Sequence, residues 1–246
     1  MTLWALADLH LAFGAPDKSM EFFGPTWQNY AERIEKNWRA LVQKDDLVLI
    51  PGDISWALKL ENALIDLRWI DALPGTKLLL RGNHDLWWPS ASKLKELLPP
   101  SIHFIQNNVF NWNDVTIGGT RLWDSEEYGF SSIIEFQENP KERINKEEKP
   151  SSETIFVREL GRLELSLKAL SEKAKWRIAM THYPPIGLDL APSRASKVFE
   201  KYQVETVVFG HLHNVQRGKD LFGKARGVNY HLTSCDYLDF IPLKIL

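Results

Sequence analysis

Five short clusters of potential metal-ligating residues occur in a fixed order along this chain of 246 residues. Each cluster follows an apolar stretch of the kind that forms a β-strand. In chain order they are Asp8-Leu9-His10, Gly52-Asp53, Gly82-Asn83-His84-Asp85, Thr181-His182 and Gly210-His211-Leu212-His213. Carboxylate oxygens, an amide oxygen and imidazole nitrogens together suit manganese, iron or zinc. The sequence therefore predicts a centre of two divalent metal ions, with manganese as the preferred ion.

The spacing within the clusters indicates different roles for their members. Side chains two residues apart on an extended chain face the same side, so Asp8 and His10 can hold one ion together. A carboxylate has two oxygens and can bridge two ions, which makes Asp53 the natural shared ligand. His84 follows Asn83 directly and should point away from the ion that Asn83 binds. It is therefore predicted to transfer a proton or to stabilise charge.

Four further side chains near the third cluster are candidates for the site. Asp85 is predicted to act in catalysis by orienting His84, and capping a helix is an equally good alternative. Arg81, Trp87 and Trp88 are predicted to contact the substrate, with packing or pairing inside the protein as the alternative. Packing is the expected role for most of the ten tryptophans.

Each cluster alone is common, but the ordered set resembles the calcineurin-like metallophosphoesterase superfamily. The signature of that superfamily is Asp-x-His, Gly-Asp, Gly-Asn-His-Asp/Glu, His and Gly-His-x-His, and here no ligand position is missing. The resemblance implies one ion held by Asp8, His10 and His213, and a second held by Asn83, His182 and His211. It also implies that Asp53 bridges the ions and that His84 assists the leaving group. The implied fold is α/β, a four-layer α/β/β/α sandwich of two mixed sheets flanked by helices.

One departure from the superfamily pattern bears on the substrate. Its protein serine/threonine phosphatases continue the Gly-Asp motif with Asp-Arg-Gly, whereas this chain continues with Ile54-Ser55-Trp56-Ala57. A phosphate-binding arginine is therefore missing at that point, which argues against protein phosphatase activity. Arg81, directly before Gly82, matches an Arg-Gly-Asn-His variant of the motif.

The composition is that of an ordinary soluble globular protein, with 44% hydrophobic and 25% charged residues. A net charge of −2 gives no general attraction to nucleic acid, so a nucleic-acid partner is not expected. The single cysteine excludes an intramolecular disulfide and fits a reducing compartment. No apolar run approaches the roughly 20 residues that cross a bilayer. Because the first residues look like a strand and not a signal peptide, a cytoplasmic location is expected.

Apolar bursts alternate with amphipathic stretches along the whole chain, which is typical of α/β proteins. We expect a single domain over residues 1–246, with a charged excursion at about 125–152. This excursion is predicted to be either a flap over the site or an exposed connection.

These observations favour a two-metal phosphoester hydrolase that uses a metal-activated water. Its substrate would be a phosphodiester or phosphomonoester of small or nucleotide type. Two alternatives stay open: a non-catalytic interaction scaffold on the same fold, and a metal-dependent nuclease. The sequence names no protein partner.

Overall fold

The computed structural model describes residues 1–135, 152–216 and 221–246. The strands are β1 (Leu3–Ala5), β2 (Leu47–Ile50), β3 (Thr76–Leu80), β4 (Ile102–Ile105), β5 (Phe110–Trp112), β6 (Val115–Thr120), β7 (Trp176–Thr181), β8 (Thr206–Phe209), β9 (Gly223–Ala225), β10 (Val228–Leu232) and β11 (Leu243–Lys244). The α-helices are α1 (Tyr30–Leu41), α2 (Leu60–Asp71), α3 (Ala91–Leu97), α4 (Ser152–Lys168) and α5 (Arg194–Lys201). Short 3₁₀ helices at Pro16–Lys18, Met20–Phe23 and Pro25–Trp27 precede α1.

The strands form two mixed sheets. The first has the order β11-β1-β2-β3-β4, in which β1 to β4 run parallel and β11 pairs antiparallel with β1. The second has the order β5-β6-β7-β8-β10-β9, with a parallel centre and an antiparallel strand at each edge. Both sheets therefore have parallel central strands whose carboxyl ends can present side chains at one edge.

Three apolar cores separate four layers. Between the two sheets lie side chains from both, among them Leu49, Leu78 and Ile178. A second core packs α1, α2 and α3 on the outer face of the first sheet. A third packs α4 and α5 on the outer face of the second sheet. The predicted four-layer α/β/β/α sandwich is confirmed.

The excursion predicted at about 125–152 falls largely on residues 136–151, which lie outside the described part of the chain. Its described beginning, residues 125–135, forms turns, and Ile134 pairs with Val215 in an antiparallel bridge. Among the described residues, none of the helices combines the length and the apolar character that a bilayer crossing requires.

Candidate metal centre

The ends of the parallel strands bring the five sequence clusters together, and the backbone is strained where they meet. Asp8, His10, Asp53 and His211 all have a positive φ, between 45° and 74°. A left-handed conformation at a residue other than glycine costs ~1–3 kcal/mol and persists only where its surroundings enforce it. Four of the predicted ligands have this conformation, as do eleven other non-glycine residues in the described part of the chain.

The first ligand group consists of Asp8, His10 and His213, whose ligand atoms all lie within 4.8 Å of one another. The Nε2 atoms of His10 and His213 face each other at 3.0 Å. Asp8 is fully buried; its Oδ1 atom has no hydrogen-bond partner among the described residues and lies 3.6 Å from Nδ1 of His182. An unpartnered buried carboxylate oxygen is costly unless a cation compensates it. The group therefore fits a metal ion.

The second group converges on Asn83. Its side-chain oxygen lies 2.6 Å from Nε2 of His182 and 3.0 Å from Nδ1 of His211. The other ring nitrogen of His182, Nδ1, lies 3.0 Å from the carbonyl oxygen of Pro51. A hydrogen bond from Nδ1 to that carbonyl leaves the lone pair on Nε2 for a metal. This group also fits an ion of the kind that amide and imidazole ligands hold.

Asp53 lies between the two groups. Its Oδ2 atom is 3.7 Å from Nε2 of His10 in the first group and 3.4 Å from Nε2 of His182 in the second. Its Oδ1 atom accepts a hydrogen bond from the backbone N–H of His84 at 2.8 Å, which fixes the carboxylate. The geometry is that of a carboxylate able to serve two ions at once.

The electrostatics of the centre favour a bound cation. Burial lowers the pKa of His182, but the charge of Asp53 and a hydrogen bond to it prevail and raise that pKa to about 9. Burial raises the pKa of Asp8 to about 6, against the attraction of His213 and His182. Burial and the charge of His182 lower the pKa of His211. The carboxylates thus draw positive charge into the centre, and bound metal ions would supply that charge.

His84 lies beside this centre, and its ring packs on Trp56. The two ring centroids are 4.4 Å apart, and Trp56 also stacks on the ring of His10 at 4.9 Å. Burial lowers the pKa of His84, and the charge of Asp53 opposes that effect. The structure therefore places His84 next to the ligand groups without making it part of either.

Asp85 does not orient His84, in contrast to the prediction. Its fully buried carboxylate accepts hydrogen bonds from the backbone N–H groups of Ile54, Ser55 and Gly82. It therefore ties the loop after β2 to the loop after β3, which carry two of the candidate ligands. Asp85 is a positioning residue for these loops.

The two tryptophans predicted to contact the substrate differ in position. Trp87 is 3% exposed, and its indole N–H donates to Asp85 at 3.0 Å, so it belongs to the core and leaves no face for a substrate. Trp88 is also buried, but it lines a cavity together with Arg81. The indole N–H of Trp88 donates to the side-chain oxygen of Gln106.

The glycines of the motifs allow the loops to approach the ligands closely. A Cβ atom on Gly82 would lie 2.0 Å from Oδ1 of Asp53, and one on Gly210 would lie 2.4 Å from Oδ2 of Asp8. Because these separations are below any real contact, a side chain at either position would displace a ligand carboxylate. The glycines of the sequence pattern are therefore part of the site's geometry.

Asp236 is a residue of the site that the sequence analysis missed. It is buried, and its Oδ1 atom lies 2.9 Å from Nδ1 of His213. This contact outweighs burial and raises the pKa of His213 to about 9. A carboxylate bonded to Nδ1 directs Nε2 of the same ring toward a metal. The only sequence signal was the strand just before Asp236, which returns to the carboxyl edge of the sheet.

The Asp236→Asn variant should bind metal at the first group ~10–100-fold more weakly, because partners of this kind orient metal-binding histidines. The measurement is a titration of metal-stripped protein with Mn²⁺, followed by bound-metal analysis. Asp189→Asn serves as control, since Asp189 lies outside both ligand groups and its Oδ1 accepts from the nearby N–H of Ala191. Equal affinity in Asp236→Asn and the parent protein would contradict the role of Asp236.

A second cavity of about 250 Å³ adjoins His211. Trp123, Tyr183 and residues 128–130 at the start of the excursion contribute to its wall. The ring centroids of Tyr183 and His211 are 3.9 Å apart, and those of Trp123 and Tyr183 are 4.8 Å apart. The described start of the excursion therefore borders the candidate centre.

Comparison with known proteins shows the family of the chain. The profile of the family described as calcineurin-like phosphoesterase matches residues 1–215. Gene 66 protein of Mycobacterium phage L5 is 36% identical over 89 residues, which cover 33% of this chain and 39% of that relative. The chain thus matches well under two-thirds of the length of this curated relative.

Solved structures share the fold at low sequence identity. Phosphopantetheinyl hydrolase (PptH) from Mycobacterium tuberculosis superposes with a TM-score of 0.58 at 15% identity, over 100% of this chain and 95% of that one. GAP50, the anchor in the inner membrane complex of Plasmodium, gives a TM-score of 0.50 at 10% identity, over 96% and 72% of the two chains. At these identities the likeness concerns the fold alone.

Proposed function

We propose, from the premise that the chain belongs to the calcineurin-like phosphoesterase family, that it hydrolyses phosphate esters at a centre of two divalent metal ions. The substrate is a small phosphomonoester or phosphodiester, of nucleotide type or similar size. Manganese is the preferred ion, and iron or zinc would also suit the ligands. A cytoplasmic location suits the lone, buried Cys235.

The observation that carries this proposal is the position of Asp53 between two complete ligand groups. One oxygen atom of its carboxylate lies within 3.7 Å of ring nitrogens from both groups. A single metal would need only one group, whereas Asp53 has Oδ1 fixed by the N–H of His84 and Oδ2 facing ring nitrogens of both groups. Divalent ions held by the two groups would supply activation of a water molecule and neutralisation of charge on the phosphoryl oxygens.

The residues of the chain have separate tasks in this reaction. Asp8, His10 and His213 would hold one ion, Asn83, His182 and His211 the other, and Asp53 would be shared. His84 stands outside both groups and would donate a proton to the leaving oxygen or hydrogen-bond the phosphate. Asp85 and Asp236 act through other residues: the first fixes two ligand loops and the second fixes the ring of His213.

The two alternative functions are less well supported. A scaffold has no need of a complete ligand set. A nuclease would have to hold a polyanion, and the net charge of −2 offers no general attraction to one. The arrangement around Asp53 speaks against the scaffold, whereas a nuclease would share this chemistry and is disfavoured by the charge alone.

The test of the proposed function is hydrolysis by metal-stripped protein of para-nitrophenyl phosphate and bis-(para-nitrophenyl) phosphate. We expect turnover of at least one of them after addition of Mn²⁺ and none before. The ratio of the two rates then separates monoester from diester preference. If protein that is shown to contain bound metal hydrolyses neither ester, the result would count against the proposal and favour the scaffold.

A further inference from the structure

A small cavity between the two sheets carries an excess of positive charge. We call it the arginine pocket and define it by Arg81, Arg121, Arg162, Glu159 and Trp88, which contribute to its lining. Its volume is about 150 Å³. It opens at the carboxyl ends of β3, β4 and β6, at the same edge of the sheets as the candidate metal centre.

The charges of the pocket do not balance. Glu159 is its one carboxylate among the described lining residues, and three arginines surround it. Arg162 takes up one oxygen of Glu159 at 2.6 Å, Arg121 lies 3.9 Å from the same oxygen, and the hydroxyl of Thr120 donates to the other. A pocket with three guanidinium groups and one carboxylate is left with a surplus of two positive charges.

Arg81 is the least compensated of the three arginines. In the part of the chain that the structure describes, no carboxylate forms an ion pair with it, and its Nε donates to the backbone oxygen of Asp85 at 3.2 Å. Burial lowers the pKa of Arg121; Glu159 opposes this effect and the charge of Arg81 adds to it. The two guanidinium groups thus repel each other, and an anion between them would relieve that repulsion.

The pocket adjoins the second ligand group of the metal centre. Arg81 is two residues from Asn83, which limits their Cα separation to roughly 7 Å. The carbonyl of Arg121 accepts the backbone N–H of His182 at 3.1 Å. The guanidinium of Arg121 is further held 4.6 Å above the ring of Trp123, which also borders the cavity at His211. Arg81 and Arg121 thus connect the lining of the pocket to the chain segments that carry Asn83 and His182.

Size and charge together limit what the pocket can hold. Pockets for a whole drug-sized ligand occupy roughly 300–1,000 Å³, so this one suits a single functional group. Guanidinium groups bind phosphate and carboxylate through paired hydrogen bonds. A phosphate monoester carries a charge of about −1.5 to −2 at neutral pH, which matches the surplus of two better than a carboxylate does.

We propose that the arginine pocket binds a second phosphate group of the substrate while the first lies at the metal centre. The substrate is then a small bisphosphorylated molecule whose two phosphates are separated by a short spacer. This inference rests on the proposed function and names the substrate class for it.

The test measures binding, which does not require turnover. Manganese-loaded protein is titrated by calorimetry with α,ω-alkane bisphosphonates of two to eight carbons and with the n-alkylphosphonates of equal length. We expect one chain length at which the second phosphonate improves Kd by about tenfold or more, as two charge-assisted hydrogen bonds would. In Arg81→Gln that advantage should fall to about twofold or less.

Two further variants make the result decisive. Arg39→Gln removes an exposed arginine of α1 that pairs with Glu35 outside the pocket, and the advantage should persist in it. Arg162→Gln changes a half-exposed arginine at the rim, so it reports on the pocket if Arg81→Gln does not fold. It should reduce the advantage by a few-fold.

The outcomes distinguish this inference from the proposed function. An advantage that depends on Arg81 but comes without turnover of any ester would support the phosphate site and count against the esterase. The phosphate site would be overturned if the bisphosphonate binds with the same advantage over the monophosphonate in Arg81→Gln and Arg39→Gln, or if no chain length gives such an advantage. This holds even if the nitrophenyl esters are hydrolysed.

Discussion

The Asp53→Asn variant is expected to lose ~10³-fold or more in kcat/KM for phosphate esters, which corresponds to ~4 kcal/mol of transition-state stabilisation. The amide has almost the same shape, but it lacks the negative charge that both ligand groups share. Oδ2 of Asp53 lies within 3.7 Å of His10 and His182, so this one change affects both predicted ion sites. Metal analysis should show that the purified variant contains less bound manganese than the parent protein at the same concentration of added Mn²⁺.

The matched control is Asp45→Asn, since Asp45 is an exposed carboxylate in the turn before β2. It should retain full activity and full metal content. If Asp53→Asn keeps the parent's activity while folded and metal-loaded, Asp53 does not bridge two ions and the assignment of the centre fails.

The His84→Asn variant is expected to lose ~10²–10⁴-fold in kcat, the range that a single proton-transferring side chain contributes. Its metal content should not change, because the ring of His84 lies against Trp56 and belongs to neither ligand group. If His84 protonates the leaving oxygen, the loss should be larger for phenyl phosphate than for para-nitrophenyl phosphate. The reason is that the nitrophenolate leaves readily without a proton.

The control for His84 is His103→Asn, which changes an exposed histidine of β4 that packs beside Phe110 and belongs to neither ligand group. Equal losses for the two leaving groups would assign His84 to hydrogen bonding of the phosphate and not to proton donation. No loss with either substrate would remove His84 from the reaction.

The metal-ligand set could be predicted from sequence because each ligand follows a strand in a short motif. Parallel strands place their carboxyl ends at one edge, so order along the chain translates into proximity in space. The strands β2, β4 and β8 coincide with largely apolar runs of the sequence. The two short edge strands β5 and β9 cannot be predicted in this way, because three residues of mixed polarity are too few to show the alternation of a strand.

Positions set by packing between distant segments could not be predicted in the same way. Asp85 was expected to serve His84, yet its carboxylate faces the backbone of the loop after β2, a partner that is 30 residues away. Trp87 follows a ligand motif directly, yet it turns into the core, whereas Trp56 packs on two site histidines. The role of Asp236 depends on the return of β10 to the site, and the strand pattern alone does not tell which residue after it contacts His213.

The arginine pocket illustrates the same limit. Arg81 belongs to a recognisable motif, but Arg121 follows β6 and Arg162 lies on α4, and nothing in their sequence spacing joins them. Their juxtaposition arises from the stacking of the second sheet on the first and of α4 on the second sheet. Substrate-determining features are thus less accessible from sequence than the metal ligands are.

The most direct measurement is a titration of metal-stripped protein with Mn²⁺ in which bound metal and phosphoester hydrolysis are followed in the same samples. We predict that the protein binds two ions per chain and that turnover rises with occupancy of the pair. The Asp53→Asn variant should neither bind two ions per chain nor hydrolyse the ester. Full turnover by protein that has bound one ion, or no ion, per chain would contradict the two-metal centre.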